Sequence, residues 1–189
     1  VVADTDIRHL HVVGYSEPVR GEFTLDELDG HVHSLPDRPT LVPYRTSYYR
    51  RTWGFCLADD VRVGLQPGRY SVDIDASLEP GALVWGELVV PGRRRDEVLV
   101  STHICHPDLA NDNVTGMAAA VAVARWAAAE PREFTYRFLF VPATVGTVAW
   151  LDRNRERTDA IRHGLVLTGL GGPGPLTYKR SRREDAPID

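Results

Sequence analysis

Side chains able to bind a metal or move a proton crowd into one short stretch, where His103, Cys105, His106, Asp108, Asp112 and Asn113 fall between Val98 and Met117. Imidazole and carboxylate are the usual zinc ligands of hydrolases, and a catalytic zinc commonly takes three protein ligands and a water. The stretch opens on the apolar run Val98 to Ile104 and closes on the Ala-rich run Val114 to Ala129. That order predicts a buried strand, a ligand-bearing loop and a helix. Asn113 is of the type that N-caps a helix, with Asp112 just before it. The positive end of the helix dipole would help keep Asp112 ionised, as a ligand must be. A plain structural reading fits the same residues. In it Asp112 and Asn113 only cap the helix, and His103 and His106 are ordinary loop-end histidines. Spacing alone leaves both open, because one His with one Asp is a weaker metal signal than HExxH or a double CxxC.

The rest of the chain must position that loop. Its 189 residues allow one domain or two small ones. From Ile7 to about Pro91 the pattern is mostly β. Strand candidates are Ile7–Val13, Trp53–Leu57, Arg69–Ile74 and Ala82–Val90. One short helix is predicted from Thr24 to Leu35, with Thr24 and Glu27 forming a capping box. After the polar stretch Gly92-Arg-Arg-Arg-Asp96 the period changes. Strands at Val98–Ile104, Phe134–Val141 and Gly164–Leu170 alternate with helices at Val114–Ala129 and Thr144–Arg157, the second capped by Thr144. In the first of these helices Met117, Val121 and Ala124 share a face, with Trp126 adding bulk. Strand-helix-strand-helix-strand predicts a parallel sheet with right-handed crossovers. The expected organisation is a β-rich domain at 1–91 and a partial α/β domain at 97–189, with the boundary between Pro91 and Glu97.

Composition excludes several classes. A net charge of −4 argues against wholesale nucleic-acid binding. No apolar run is long enough to span a membrane, and Val1-Val-Ala-Asp-Thr-Asp has neither the basic nor the apolar region of a signal peptide. The chain starts without Met, as a fragment or a processed chain would. Cys56 and Cys105 do not make a disulfide framework, and a reducing, cytoplasmic setting is the default. Two further His-x-His pairs, His9/His11 and His31/His33, read as polar surface residues more readily than as metal ligands. Gly171 and Gly172, in the turn Gly169-Leu-Gly-Gly-Pro-Gly174, read as permitting a close turn. The charged segment Tyr178–Asp185 reads as solvated, with capture of a substrate carboxylate or phosphate by its arginines as the sharper alternative.

The string His106-Pro107-x-x-x-Asn111-Asp112-Asn113-x-x-Gly116, after a Val-rich strand, resembles the zinc aminopeptidase-like proteins of the co-catalytic aminopeptidase clan. It is most similar to the bacterial branch whose genes often sit among polysaccharide or secondary-metabolite biosynthesis genes. The likeness extends to Leu10–Ser16, Pro43–Tyr49, Arg51–Cys56 and Gly174–Lys179. The resemblance implies an α/β fold, with a parallel βαβαβ core of a zinc-aminopeptidase-like sheet preceded by a small β-rich domain. It implies that His106 is a zinc ligand and that Asp112 is the carboxylate able to bridge two zincs. It implies a cis peptide bond between Asp112 and Asn113, and assigns His103 no role.

Several expected groups are missing. The clan places a Glu base and a carboxylate ligand after its second strand, where this chain has Ala143, and another carboxylate after its third, where it has Gly172. A last His lies far downstream in the clan, beyond this sequence. No catalytic residue is therefore assigned. His106 and Asp112 make an open half-site, so this chain alone is expected to bind zinc weakly or not at all, and no more than one ion. The readings are a zinc-dependent aminopeptidase-like hydrolase of peptides or other amide-containing small molecules, a catalytically inactive relative that binds a ligand or partner, and a β-rich interaction domain fused to a partial α/β domain. Neither nucleic acid nor membrane is an expected partner, and the sequence does not fix the oligomeric state.

Overall fold

The structure is a computed structural model and describes residues 1–106 and 109–189. The chain divides into two units, Val1–Gly81 and Ala82–Asp189. The division falls before the expected boundary because Gly86–Val90 pairs with a strand of the second half. Among the described residues no helix is long and apolar enough to cross a membrane.

In the first unit, β1 (Val19–Thr24) pairs antiparallel with β4 (Arg69–Ile74), and β2 (Val32–His33) pairs parallel with β3 (Phe55–Cys56). The short helices are α1 (Leu25–Leu28) and α2 (Asp59–Val63). Leu28, Val32, Leu57, Val72 and Ile74 form the core. The capping box is present: Glu27 N–H donates to Thr24 Oγ1 at 3.3 Å, and Thr24 N–H donates to Glu27 Oε2 at 2.7 Å. The helix it starts ends at Leu28, short of the expected Leu35. Asp29–His31 forms a single tight turn, after which buried Val32 extends and pairs with Phe55. A β-branched residue with a strand partner and a core to enter outcompetes helix continuation. Ile7–Val13 is likewise not a strand: His9–His11 is a tight turn, and only Val12 bridges to Phe55. Strand β1 and helix α2 were not expected from the sequence.

The second unit is a mixed sheet of β5 (Gly86–Val90), β6 (Glu97–His103), β7 (Thr135–Val141) and β8 (Ile161–Leu167), in the order β5-β7-β6-β8. Strands β6, β7 and β8 are parallel. Strand β5 runs antiparallel to β7 at the edge, where the sequence pattern predicted parallel strands alone. Helix α3 (Thr115–Ala129) links β6 to β7, and α4 (Val145–Arg153) lies between β7 and β8.

Strand alternation decides what each helix covers. Val100 and Phe138 pack with Ala120, Ala124 and Ala127 of α3. Leu139 and Val141 pack with Trp150 of α4. The inner stripe of α3 is thus its small residues at helical spacing, while Val121 is 49% exposed and Trp126 is 51% exposed. This corrects the expected Met117–Val121–Ala124 face. Ala lets the helix axis approach the sheet closely, and Trp126 instead lies under the Arg132 guanidinium, 3.9 Å from the ring centroid.

One charged network is buried on the α4 side. Arg137 of β7 is 6% exposed and grips Glu97 of β6 through Nε and Nη2 at 2.6 and 2.7 Å. Its Nη1 donates to Glu87 of β5, whose other oxygen accepts from Trp150 Nε1 at 2.8 Å. Hydrogen bonding to Glu97, assisted by the Glu97 and Glu87 charges and opposed by burial, raises the Arg137 pKa. Three strands and a helix are therefore keyed together by one cation.

Candidate functional site

Strand β6 ends on His103, and α3 begins at Thr115, so the intervening loop must turn the chain back over the strand end. The Asp112–Asn113 peptide bond is cis, as the resemblance implied. Asp112 lies between two imidazoles. Its Oδ1 is 2.6 Å from His103 Nε2, and its Oδ2 is 3.5 Å from His106 Nε2. The two rings stand nearly perpendicular, at 82°, with centroids 6.4 Å apart.

Asn113 does not cap α3, contrary to the expectation from its type. It is 1% exposed, and its carboxamide ties the surrounding backbone together. Its Nδ2 donates to Thr102 Oγ1 at 2.8 Å and is near the carbonyls of His103 and Leu167, each at 3.2 Å. Its Oδ1 accepts from Gly169 N–H at 3.2 Å. Asn111 Oδ1 accepts from Gly171 N–H at 2.9 Å, and Thr102 Oγ1 donates to the Leu167 carbonyl at 3.0 Å. On the other side Ala143 N–H donates to Cys105 Sγ at 2.8 Å. The segments after β6, β7 and β8 are thus stitched into one surface at the carboxyl ends of parallel strands, where open α/β sheets place their ligands.

Glycines make this possible at two places. A Cβ on Gly116 would lie 2.7 Å from Asn113 Cγ, and one on Gly171 would lie 2.5 Å from Thr115 Cγ2. A Cβ on Gly172 meets only ordinary contacts, at 3.7 Å from Asn111 Nδ2. The left-handed residue of the turn is Gly169, with φ of 64°. Gly116→Ala is expected to destabilise the fold by about 1–3 kcal/mol, because the pinned Asn113 cannot move aside. Gly172→Ala is expected to stay within about 0.5 kcal/mol of the parent. Urea unfolding of the two variants measures both.

The donor set suits a zinc ion in part. Two ligands at about 2.0–2.1 Å on a tetrahedral ion lie roughly 3.3 Å apart. The 3.5 Å between His106 Nε2 and Asp112 Oδ2 matches that separation. The 2.6 Å contact between His103 Nε2 and Asp112 Oδ1 does not; it is a hydrogen bond. His103 therefore orients the carboxylate, a role that sequence reasoning left unassigned. Two donors fall short of a closed site, and among the described residues no group of three or more His, Cys, Asp or Glu side chains is placed to hold a metal.

The other candidates separate clearly. Asp108 and Pro107 lie outside the described residues. Ala143 stands at the end of β7, and Thr144 beside it has φ of 57° and makes no capping hydrogen bond, contrary to its expected role. His11 Nδ1 is engaged at 3.0 Å by Asp4 N–H. His31 stacks on Trp53 with centroids 3.7 Å apart and bonds the Trp53 carbonyl at 2.8 Å through Nδ1. The arginines of Tyr178–Asp185 are exposed, in keeping with a solvated segment. Cys56 is fully buried, and burial pushes its thiol up to about 11, so it is no nucleophile.

The family model described as a domain of unknown function, DUF4910, matches residues 12–189. The chain belongs to the DUF4910 family. Over 188 residues this DUF4910 chain is 41% identical to a Clostridium acetobutylicum protein called "Putative polysaccharide biosynthesis protein with aminopeptidase-like domain". The match takes in 100% of the chain and 43% of that relative. A crystal structure called "putative peptidase", also from Clostridium acetobutylicum, superposes with a TM-score of 0.95 at 41% identity. It covers 100% of the DUF4910 chain and 44% of its own. The chain thus spans less than half the length of these relatives and shares the fold of the corresponding part.

Proposed function

We propose that this DUF4910 chain contributes part of the active site of a zinc-dependent, aminopeptidase-like hydrolase acting on peptide or other amide bonds. The observation that carries the reading is Asp112, set between His103 and His106 at the joined carboxyl ends of β6, β7 and β8. The parallel run β6-α3-β7-α4-β8 is, on this reading, the core of a zinc-aminopeptidase-like sheet, and the names of the two Clostridium relatives point the same way. His106 and Asp112 would hold zinc, and His103 would fix the orientation of the Asp112 carboxylate. Bound there, zinc would supply a polarised water or substrate carbonyl. The remaining ligands and the proton acceptor come, in this proposal, from sequence beyond these residues. Ala143 has no group to accept a proton, and Gly172 has none to bind a metal.

The full open reading frame is expected to release the N-terminal residue from unblocked peptides, or to cleave another small amide, and to lose that activity to a chelator. The check is product formation from a panel of peptides and aminoacyl amides, before and after chelation and again after zinc is restored. Metal binding without turnover of any amide would instead favour a ligand-binding relative. Turnover untouched by chelation would rule out a catalytic zinc.

A further inference from the structure

The first unit holds a concentration of cationic side chains of its own. A cleft of about 330 Å³ is lined by His33, Arg45, Ser47, Tyr48, Arg50 and Thr52, among others. Its walls come from segments that the backbone locks together. Gly14 N–H donates to the Arg45 carbonyl at 2.9 Å, and Ser47 N–H donates to the Gly14 carbonyl at 3.0 Å. Gly54 lets the His33 ring in: a Cβ there would lie 3.3 Å from His33 Nε2 and 2.7 Å from the His31 carbonyl. Tyr48 forms an aromatic wall, its ring tilted against Tyr15 with centroids 4.9 Å apart.

The cleft's cations are not neutralised from within. Arg51 reaches Glu17 and Arg62 reaches Asp29. Among the described residues neither Arg45 nor Arg50 forms an ion pair with a carboxylate. Burial first, then the charges of Arg45, His31, Arg62 and Arg50, lower the His33 pKa. Among the described residues, Arg45 and Arg50 are the arginines of that set without a carboxylate partner, and they set a positive field at the partly buried His33. Side chains of like sign held around one concavity attract a counter-ion, and arginines with hydroxyls beside them supply directed donors to its oxygens. An exposed tyrosine face next to those donors accepts an apolar or planar ligand body.

We infer that this cleft binds a small organic oxyanion, a carboxylate or phosphate held by Arg45 and Arg50, with its body against Tyr48. The site lies wholly within the first unit and does not rest on the zinc reading. Its volume fits a ligand far smaller than a protein or nucleic-acid segment.

The test is calorimetric titration of the protein with inorganic phosphate, phenyl phosphate, benzoate and benzyl alcohol, with His33 ring resonances followed by NMR. Phosphate or benzoate is expected to bind and to shift His33, and benzyl alcohol is not. The stronger of the two anions names the source of the oxyanion. Arg45→Gln and Arg50→Gln should each weaken binding by roughly tenfold. Both side chains are exposed, and circular dichroism confirms that the variants are folded. Tyr48→Ala should weaken phenyl phosphate while leaving inorganic phosphate within about twofold. Absence of anion binding, equal binding of benzyl alcohol, or affinities unchanged in both arginine variants would overturn the proposal.

Discussion

Asp112→Ala is expected to abolish zinc binding in the full open reading frame and, with it, amide hydrolysis. The substitution removes the only carboxylate that lies between the two histidines among the described residues. His106→Ala removes the other proposed ligand and should behave alike. His103→Ala is the discriminating variant. If His103 orients Asp112 through the 2.6 Å hydrogen bond, metal affinity should fall by roughly 10–100-fold, short of complete loss. Zinc competition against a chromogenic chelator separates these outcomes. Equal, complete loss in His103→Ala and His106→Ala would make His103 a ligand. No change in His103→Ala would make its contact with Asp112 incidental.

Arg137→Ala is expected to be the most destabilising single change, costing about 3–5 kcal/mol. It strands Glu97, itself 8% exposed, and removes the link among β5, β6 and β7. The penalty comes mainly from carboxylates left buried without a cation. A triple variant, Glu87→Gln, Glu97→Gln and Arg137→Met, should therefore recover a large part of the loss. Urea denaturation midpoints check both. A recovery of nothing would mean that the directed hydrogen bonds of the Arg137 guanidinium, and not the cost of stranded carboxylates, hold the strands.

The second unit was the more legible half. Strands β6 and β7 and helix α3 lie within a residue or two of their expected bounds, because strong local patterns coincide there with the elements the sheet needs. What failed was pairing. Residues 86–90 read correctly as extended, but their partner on β7 lies some fifty residues on, and nothing in a largely exposed strand announces it. In the first unit, α1 was cut short by tertiary contacts of Val32 that no capping signal can reveal.

The site was legible to a similar degree. His106 and Asp112 stood out through a resemblance in motif. The hydrogen bond of His103 depends on how the loop folds back over nine residues, and residue types alone do not fix that path. Asn113 was misread for a related reason. Its type fits a cap, but the loop turns it inward, where Thr102 and the backbone after β8 satisfy its amide more fully than a helix end could. The cleft around Arg45 was not legible for another reason: Pro43–Tyr49 stood out only as part of the family likeness, and residue types alone do not show that this segment folds against Gly14 and His33.

On the proposed reading, His106 and Asp112 are zinc ligands of a site completed outside these residues. Elemental analysis after exhaustive dialysis tests it most directly, on the full open reading frame, on its Asp112→Ala variant and on the 189-residue chain side by side. Zinc is expected on the full protein, none on the Asp112→Ala variant, and at most one easily removed ion on the shorter chain. Zinc retained by the variant, no zinc on the full protein, or two tightly held ions on the shorter chain would contradict it.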